Sequence, residues 1–181
     1  MTNPPRGDMI QKKVCMLGTF AVGKTSLVRR FVHSIFSDGY RSTLGVKIDR
    51  ASAEVGGETV NMVVWDIQGE DDKERVLPAY LKGAAAYLLV VDPTRKYTLK
   101  SAMLLKLIAD REAGDVPFII ILNKCDLIDQ WEMTEMDLAM LEKNALAVLR
   151  TSAKTGENVN TAFETLARKL AEDSRSKANG S

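Results

Sequence analysis

The sequence predicts an α/β fold, namely a doubly wound sheet of about six mostly parallel strands with helices on both faces. The first observation is an alternation of strand-like and helix-like segments, in which residues 84–91 and 116–122 are almost entirely apolar. Strands of that kind are buried on both faces, as in parallel sheets that helices cover. The second observation is Gly56-Gly57 between two extended segments, which predicts a hairpin and one antiparallel strand. The length of 181 residues suits a single domain.

The individual elements follow from the spacing of the apolar residues. Strands are predicted where apolar residues are continuous or alternate, over residues 10–17, 46–55, 58–67, 84–91, 116–122 and 145–149. Helices are predicted where apolar residues recur every three or four positions, over residues 24–35, 98–111, 134–143 and 159–171. Residues 1–8 are expected to be a flexible lead-in and the small polar residues 173–181 a disordered tail. One domain is therefore expected over residues 9–172.

The composition excludes several classes of protein. Hydrophobic residues make up 45% and charged residues 27% of the chain, which excludes wholesale disorder. The 25 basic residues nearly balance the 24 acidic ones, which argues against a protein that coats nucleic acid. The longest apolar runs fall far short of the roughly 20 residues that cross a bilayer. Two cysteines form no disulfide framework, so a cytoplasmic protein is expected.

Two kinds of sulfur-containing residue are assigned to packing. Cys15 is expected to be a small buried strand residue and Cys125 a filler in a loop. Met133, Met136 and Met140 recur at helical spacing, which predicts that they belong to the core.

The strongest motif is a phosphate-binding loop. The segment GTFAVGKT, from Gly18 to Thr25, fits G-x-x-x-x-G-K-[ST] between a predicted strand and a predicted helix. Glycine lets the backbone curl so that N–H groups face phosphate oxygens, and the helix N-terminus adds partial positive charge. Lys24 supplies a cation to the β- and γ-phosphates, and the Thr25 hydroxyl is a candidate Mg²⁺ ligand. The competing interpretation, a turn that binds nothing, needs four fixed positions to coincide by chance. Phosphate contacts are predicted from Gly18, Thr19, Phe20, Ala21, Val22, Gly23, Lys24, Thr25 and Ser26.

A second motif identifies the base. Asn123, Lys124 and Asp126 directly follow the predicted strand 116–122. The N1–H and N2 amino groups of guanine form a pair of donors that suits the Asp126 carboxylate. Adenine would turn an acceptor toward Asp126 and leave a buried charge unpaired, at a cost of roughly 1–3 kcal/mol or more. Alone, the motif could be a solvated loop; after a phosphate-binding loop it predicts selection of guanine.

A third group of residues ends the predicted strand 58–67. Asp66 can hold Mg²⁺ through a water molecule. The Gly69 N–H can meet a γ-phosphate oxygen because no side chain obstructs it. Alone, these residues would more simply form a strand-end turn. Residues 151–154 follow the last predicted strand and add a further segment at the same edge of the sheet.

Together the motifs resemble those of Ras-superfamily small GTPases. They occur in the order and spacing of that superfamily over roughly residues 9–172, and segments such as 43–46 and 80–84 look closest to the Rab branch. The resemblance implies a P-loop GTPase fold. It also implies a switch that binds GTP or GDP with Mg²⁺ and hydrolyses GTP.

The resemblance implies further site residues. Thr43 matches the switch I threonine, whose hydroxyl binds Mg²⁺ and whose N–H contacts the γ-phosphate. Phe36 and Tyr40 match aromatic residues that cover the base and the phosphates. For Phe36, a core residue at the end of the helix is the competing interpretation. The segment near the base is Ser152, Ala153 and Lys154. The implied catalytic residues are Lys24, Thr43, Gly69 and Glu70, and the implied metal ligands are Thr25, Thr43 and, through water, Asp66.

The implied partners are proteins that contact the switch regions, namely effectors, an exchange factor and an activating protein. Ile48, Trp65 and Tyr80 match three apolar residues that Rab proteins present to effectors. For Trp65, plain core packing is the competing interpretation. The resemblance implies a monomer, and no nucleic-acid partner is expected.

Three departures from the superfamily bear on mechanism. Glu70 stands where most relatives have the glutamine that orients the attacking water, so slow or altered hydrolysis is expected, with Gln68 a candidate substitute. Phe20 places a bulky ring where an arginine finger would enter. Arg41 is a candidate built-in finger, against the simpler hypothesis of a solvent-facing side chain. The tail has no cysteine for a prenyl group, so no direct membrane anchor is expected in this chain.

Two alternatives remain open. Glu70 and Phe20 favour a pseudo-GTPase scaffold that binds nucleotide with little or no turnover. An ATPase or small-molecule kinase is the other alternative, but it would leave Asp126 without a purpose.

Overall fold

A single six-stranded sheet organises the molecule. The computed structural model describes residues 10–34, 36, 45–67, 77–141 and 145–179. The strands are β1 (Ile10–Leu17), β2 (Val46–Val55), β3 (Glu58–Ile67), β4 (Ala86–Val91), β5 (Phe118–Leu122) and β6 (Ala147–Arg150). Their order across the sheet is β2-β3-β1-β4-β5-β6. Every neighbouring pair is parallel except β2 and β3, which are antiparallel. The predicted fold class is therefore confirmed, including the antiparallel hairpin.

Helices cover both faces of this sheet. They are α1 (Lys24–His33), α2 (Leu77–Leu81), α3 (Tyr97–Ala113), α4 (Glu135–Leu141) and α5 (Val159–Asn179). A 3-10 helix, Cys125–Gln130, follows β5. Within the described ranges, no helix combines the length and the apolar character that crossing a bilayer requires.

Two apolar layers hold the helices to the sheet. On one face, α1 and α5 pack together, and Phe31 stacks on Phe163 with 4.1 Å between ring centroids. On the other face, the layer under α2, α3 and α4 contains Tyr87 of β4 stacked on Phe118 of β5 at 4.9 Å. All residues of β4 and β5 are buried, as the apolar runs predicted. The two layers fix the carboxyl ends of the parallel strands along one edge.

The final helix corrects one prediction. It runs to Asn179, whereas disorder was predicted from residue 173. Polar residues such as lysine, glutamate and serine are compatible with a helix when local pairs support it. Here Lys169 pairs with Asp173 one turn later at 2.6 Å. Arg175 reaches Glu58 of β3 at 2.9 Å, which ties the last turns to the sheet.

The prediction that the methionines near α4 belong to the core is wrong for two of the three. Met136 and Met140 were predicted to lie in the core, but their exposed fractions are 76% and 68%. Met133 does pack against the core, although it precedes the helix, and α4 buries Leu141. Helical spacing therefore showed that these methionines share one face of the helix, but it did not show that this face is turned to solvent and not to the core. Helix α2 was not predicted, because its five residues are too few to show a period.

Candidate functional site

The loop between β1 and α1 is curled tightly against two neighbouring strands. Gly23 has φ +102°, and a Cβ there would lie 2.2 Å from Nδ2 of Asn123. Gly18 has φ +150°, and a Cβ there would lie 2.5 Å from the carbonyl oxygen of Val90. Both positions therefore require glycine for space as well as for backbone conformation. The loop takes the strand-to-helix shape that the motif predicted.

The centre of this loop holds a buried cation. Lys24 is 7% exposed, and its Nζ donates to the carbonyls of Gly18 at 2.8 Å and Thr19 at 3.0 Å. Because α1 begins at Lys24, the partial positive charge of its N-terminus faces the same loop. An ammonium group, a helix N-terminus and a curled backbone together favour an anion.

Asp66 lies beside the loop at the end of β3. The Thr25 hydroxyl donates to Oδ2 of Asp66, while Oδ1 is buried without a hydrogen-bond partner among the described residues. Burial raises the pKa of Asp66, although the hydrogen bond from Thr25 and the charge of Lys24 oppose that shift. A hydroxyl and an unpaired carboxylate oxygen are hard donors of the kind that Mg²⁺ prefers. The residues present therefore fit a magnesium ion.

Asn123 joins three segments of the site. Its Nδ2 donates to the carbonyl of Val22 in the phosphate loop at 2.9 Å. Its Oδ1 accepts from the Thr151 hydroxyl and from the Ala153 N–H, each at 3.2 Å. The side chain is 2% exposed, so these bonds form away from water. Asn123 thus works as a brace inside the site.

The two segments predicted to face the base are connected to each other. The Ser152 hydroxyl donates to Oδ1 of Asp126 at 2.6 Å, and Asp126 is otherwise exposed. Arg30 of α1 donates through Nε to the Ala153 carbonyl at 2.8 Å and through a terminal nitrogen to the Lys154 carbonyl. The carboxylate is accordingly held at the edge with an oxygen still accessible.

Sequence reasoning missed Asp92, which lies at the same edge. It directly follows β4, is 0% exposed and forms ion pairs with Arg95 and Lys124. Burial by itself raises the pKa of Asp92, but hydrogen bonds from Lys124, Thr94 and Arg95 hold that pKa below its ordinary value. A carboxylate immediately after an entirely apolar strand is the sequence feature that could have identified it.

Several predicted site residues lie outside the described residues. They are Tyr40, Arg41, Thr43, Gln68, Gly69 and Glu70. Phe36 is described: it is half-buried against the α1–α5 layer, with the Arg30 guanidinium 5.9 Å from its ring centroid. Phe20 is also half-buried, within the phosphate loop.

The three candidate effector residues form one surface. Ile48 is 50% exposed and stands opposite Trp65 in the β2–β3 register. The ring of Trp65 lies 6.0 Å from that of Tyr80, and Lys13 Nζ lies 3.9 Å above Trp65. Trp65 and Tyr80 are each partly buried: both pack against the core and both keep some surface in contact with solvent.

A strand-to-helix loop with the G-x-x-x-x-G-K-T pattern, an Asn-Lys-Cys-Asp loop and a strand-end aspartate lie along the carboxyl edge of a mostly parallel sheet, which is the arrangement of the P-loop GTPase class. The profile of the Ras family matches residues 13–172. The chain is 32% identical over 169 residues to Ras-related protein Rab5 of Nicotiana tabacum, covering 91% of this chain and 84% of that protein. It is 34% identical over 156 residues to Ras-related protein Rab11A of Lotus japonicus, with coverages of 85% and 69%. It is 33% identical over 154 residues to Ras-related protein YPTC6 of Chlamydomonas reinhardtii, with coverages of 84% and 71%.

The chain therefore belongs to the Ras family and stands near its Rab branch. This membership makes it a GTP-binding small GTPase, as the motifs predicted.

Proposed function

We propose that this protein is a Mg²⁺-dependent GTP/GDP switch that hydrolyses GTP slowly. The observation that carries the proposal is the buried Oδ1 of Asp66, which has no hydrogen-bond partner in the described part of the chain and lies beside the Thr25–Asp66 hydrogen bond. An unpaired buried carboxylate oxygen is costly, and a cation in front of it removes that cost. Thr25 and Thr43 would bind the metal directly and Asp66 through water. When bound, Mg²⁺ neutralises charge on the β- and γ-phosphate oxygens.

The phosphates would lie in the curled loop. The Nζ of Lys24 now bonds two loop carbonyls and would turn to the β- and γ-phosphates. The loop backbone from Gly18 to Ser26 would donate to the remaining oxygens. With those donors preorganised, hydrolysis is an in-line attack by water on the γ-phosphate, and developing charge is stabilised by Lys24 and backbone N–H groups.

Guanine would lie between the loops that follow β5 and β6. Asp126 would accept from N1–H and N2, and the Ala153 N–H would donate to O6. Lys124 and Lys154 would flank base and ribose, and Phe36 would cover the base. The hydrogen bond from Ser152 to Asp126 supports this arrangement, because it orients the carboxylate while each of its two oxygens keeps a lone pair for the base.

The switch would act through Thr43 and Gly69, which contact the γ-phosphate only in the GTP state. Effectors would then bind the surface formed by Ile48, Trp65 and Tyr80. The continuity of that surface across β2, β3 and α2 supports the assignment. We place the protein in the cytoplasm as a monomer, and its two free cysteines suit a reducing compartment.

Magnesium dependence is tested through nucleotide release. We expect EDTA to accelerate the loss of fluorescent GDP from the wild-type chain by at least about tenfold. Thr25→Ala should release GDP rapidly with or without EDTA, because it removes a metal ligand. Thr59→Ala is the matched control: its hydroxyl bonds Glu54 on the exposed hairpin at 2.6 Å. Release that ignores EDTA in the wild-type chain would contradict the proposal.

Turnover is tested separately by single-turnover release of phosphate from bound GTP. Glu70→Gln should accelerate hydrolysis, because a neutral amide near the γ-phosphate removes charge repulsion. If neither chain releases phosphate, with or without cell extract, the pseudo-GTPase scaffold is the better description.

A further inference from the structure

Asp92 is a buried carboxylate whose hydrogen-bonding capacity is fully used. Its Oδ1 accepts from the N–H and hydroxyl of Thr94 at 3.1 and 2.6 Å. Its Oδ2 accepts from Arg95 Nε at 2.8 Å and from Lys124 Nζ at 2.5 Å. Its backbone is fixed as well, since its N–H donates to the Thr98 hydroxyl and its carbonyl accepts from it. Hydrogen bonds therefore hold both the side chain and the backbone of Asp92.

The two cations on Asp92 lead to different halves of the site. Lys124 belongs to the loop after β5 that would face the base. Arg95 extends a second arm to the phosphate loop, where its terminal nitrogen donates to the Phe20 carbonyl at 3.2 Å. Its third nitrogen donates to the Tyr97 hydroxyl at 2.9 Å, which holds the planar guanidinium in place. One buried oxygen therefore ties the base loop and the phosphate loop together.

Fold stability alone does not account for this arrangement. A buried ion pair adds little net stability compared with apolar packing, but removing one partner leaves a buried charge uncompensated. Without the carboxylate, Lys124 and Arg95 would both point at one position and repel each other. The loop after β5, which carries Lys124, would then separate from the phosphate loop, which Arg95 contacts at Phe20.

We propose that Asp92 is a positioning residue that couples the two loops, so that they open together and nucleotide is released slowly. The coupling acts on Lys124 directly and on Phe20 through Arg95. The inference rests on the proposed nucleotide site and deepens it, because it assigns control of nucleotide release to a residue that need not touch nucleotide.

A double-mutant cycle on the release of fluorescent GDP, in the presence of Mg²⁺, tests the coupling. Asp92→Asn should accelerate release by about 10- to 100-fold and Arg95→Met by about tenfold. The double variant should release GDP within about twofold of Asp92→Asn, because Arg95 acts through the carboxylate. Effects that simply multiply would overturn the coupling.

A carboxylate on α3, away from both loops, is the matched control. Asp110 accepts from the Tyr87 hydroxyl at 3.0 Å and pairs with Lys106 at 2.6 Å, and among the residues that the structure describes it has no bond to either loop. Asp110→Asn should lower the urea midpoint of the nucleotide-free chain and leave the release rate unchanged. An accelerated release from this control would show that general loosening suffices, and would overturn the proposal.

The remaining outcomes separate the inference from the proposed function. Wild-type chain that binds no GDP overturns both. Tight wild-type binding with an unchanged rate in Asp92→Asn overturns only the coupling. If Asp92→Asn does not fold, Arg95→Lys is the variant that tests the coupling. It keeps the positive charge but loses the branched guanidinium whose second nitrogen reaches the Phe20 carbonyl. Release about tenfold faster supports the coupling, and release at the wild-type rate overturns it.

Discussion

Replacing Asn123 by alanine would break the brace between the phosphate loop and the loop after β6. The change removes three hydrogen bonds. The Val22 carbonyl loses the bond from Nδ2 at 2.9 Å, and the Thr151 hydroxyl and the Ala153 N–H each lose their bond to Oδ1 at 3.2 Å. Each buried group left unpaired costs about 1–3 kcal/mol, and water entering the vacated space recovers part of that cost. A total of about 3 kcal/mol is a reasonable magnitude, equivalent to roughly a hundredfold in a binding constant.

We expect that cost to appear in two measurements. Urea unfolding of the nucleotide-free chain should show a loss of about 1–2 kcal/mol, and fluorescence titration should show GDP affinity reduced a further 10- to 100-fold. Asn61→Ala is the control, because its Oδ1 accepts a solvent-exposed bond from Ser52 at 2.7 Å on the β2–β3 hairpin. GDP affinity within twofold of wild type in Asn123→Ala would refute the role of this side chain as a brace.

Three further changes test other parts of the structure. Gly23→Ala should abolish GDP binding in a titration, because its Cβ would meet Asn123 Nδ2 at 2.2 Å; normal binding would contradict the tight loop. Burial, reinforced by Glu157, raises the pKa of Cys125 to about 11, so iodoacetamide at pH 8 should modify it roughly 200-fold more slowly than a free cysteine. Because the thiol pKa of Cys125 is higher in the folded protein than in the unfolded chain, folding favours the neutral thiol. The contribution of Cys125 to the free energy of unfolding is therefore fully present below the unfolded pKa and is lost as the pH rises toward about 11. Tyr87→Phe should lower the free energy of unfolding by about 1 kcal/mol in urea, because the bond to Asp110 at 3.0 Å is lost; an unchanged midpoint would contradict this.

Most of the sheet could be predicted because its strands are distinct in sequence. The bounds of β1, β2 and β3 agree with the prediction at every residue, and β4 and β5 differ only in starting two residues later. Apolar runs and a Gly-Gly turn are local properties, so one sequence reveals them. The extension of α5 to Asn179 was missed because it depends on Arg175 reaching Glu58, 117 residues away in the chain.

The site divides in the same way. The sequence predicted that Gly18, Lys24 and Asn123 would lie at one edge of the sheet, because the two motifs that contain them have fixed residue types at fixed spacing, and the structure brings these three residues together. Asp92 could not be predicted, because its importance arises from a meeting with Lys124, 32 positions later. The outward direction of Met136 was equally invisible, since helical spacing identifies a face but not its neighbour.

The central claim is that Asp126 selects guanine at this edge of the sheet, and a comparison of triphosphates tests it most directly. Affinities for GTP, ATP and xanthosine triphosphate would be measured on the wild-type chain and on Asp126→Asn. The wild-type chain should prefer GTP over ATP by well over tenfold, since adenine leaves the carboxylate unpaired. Asp126→Asn should lose affinity for GTP and gain it for xanthosine triphosphate, whose 2-oxo group accepts a bond from the new amide. A wild-type preference for ATP, or an unchanged order of affinities in Asp126→Asn, would contradict the claim.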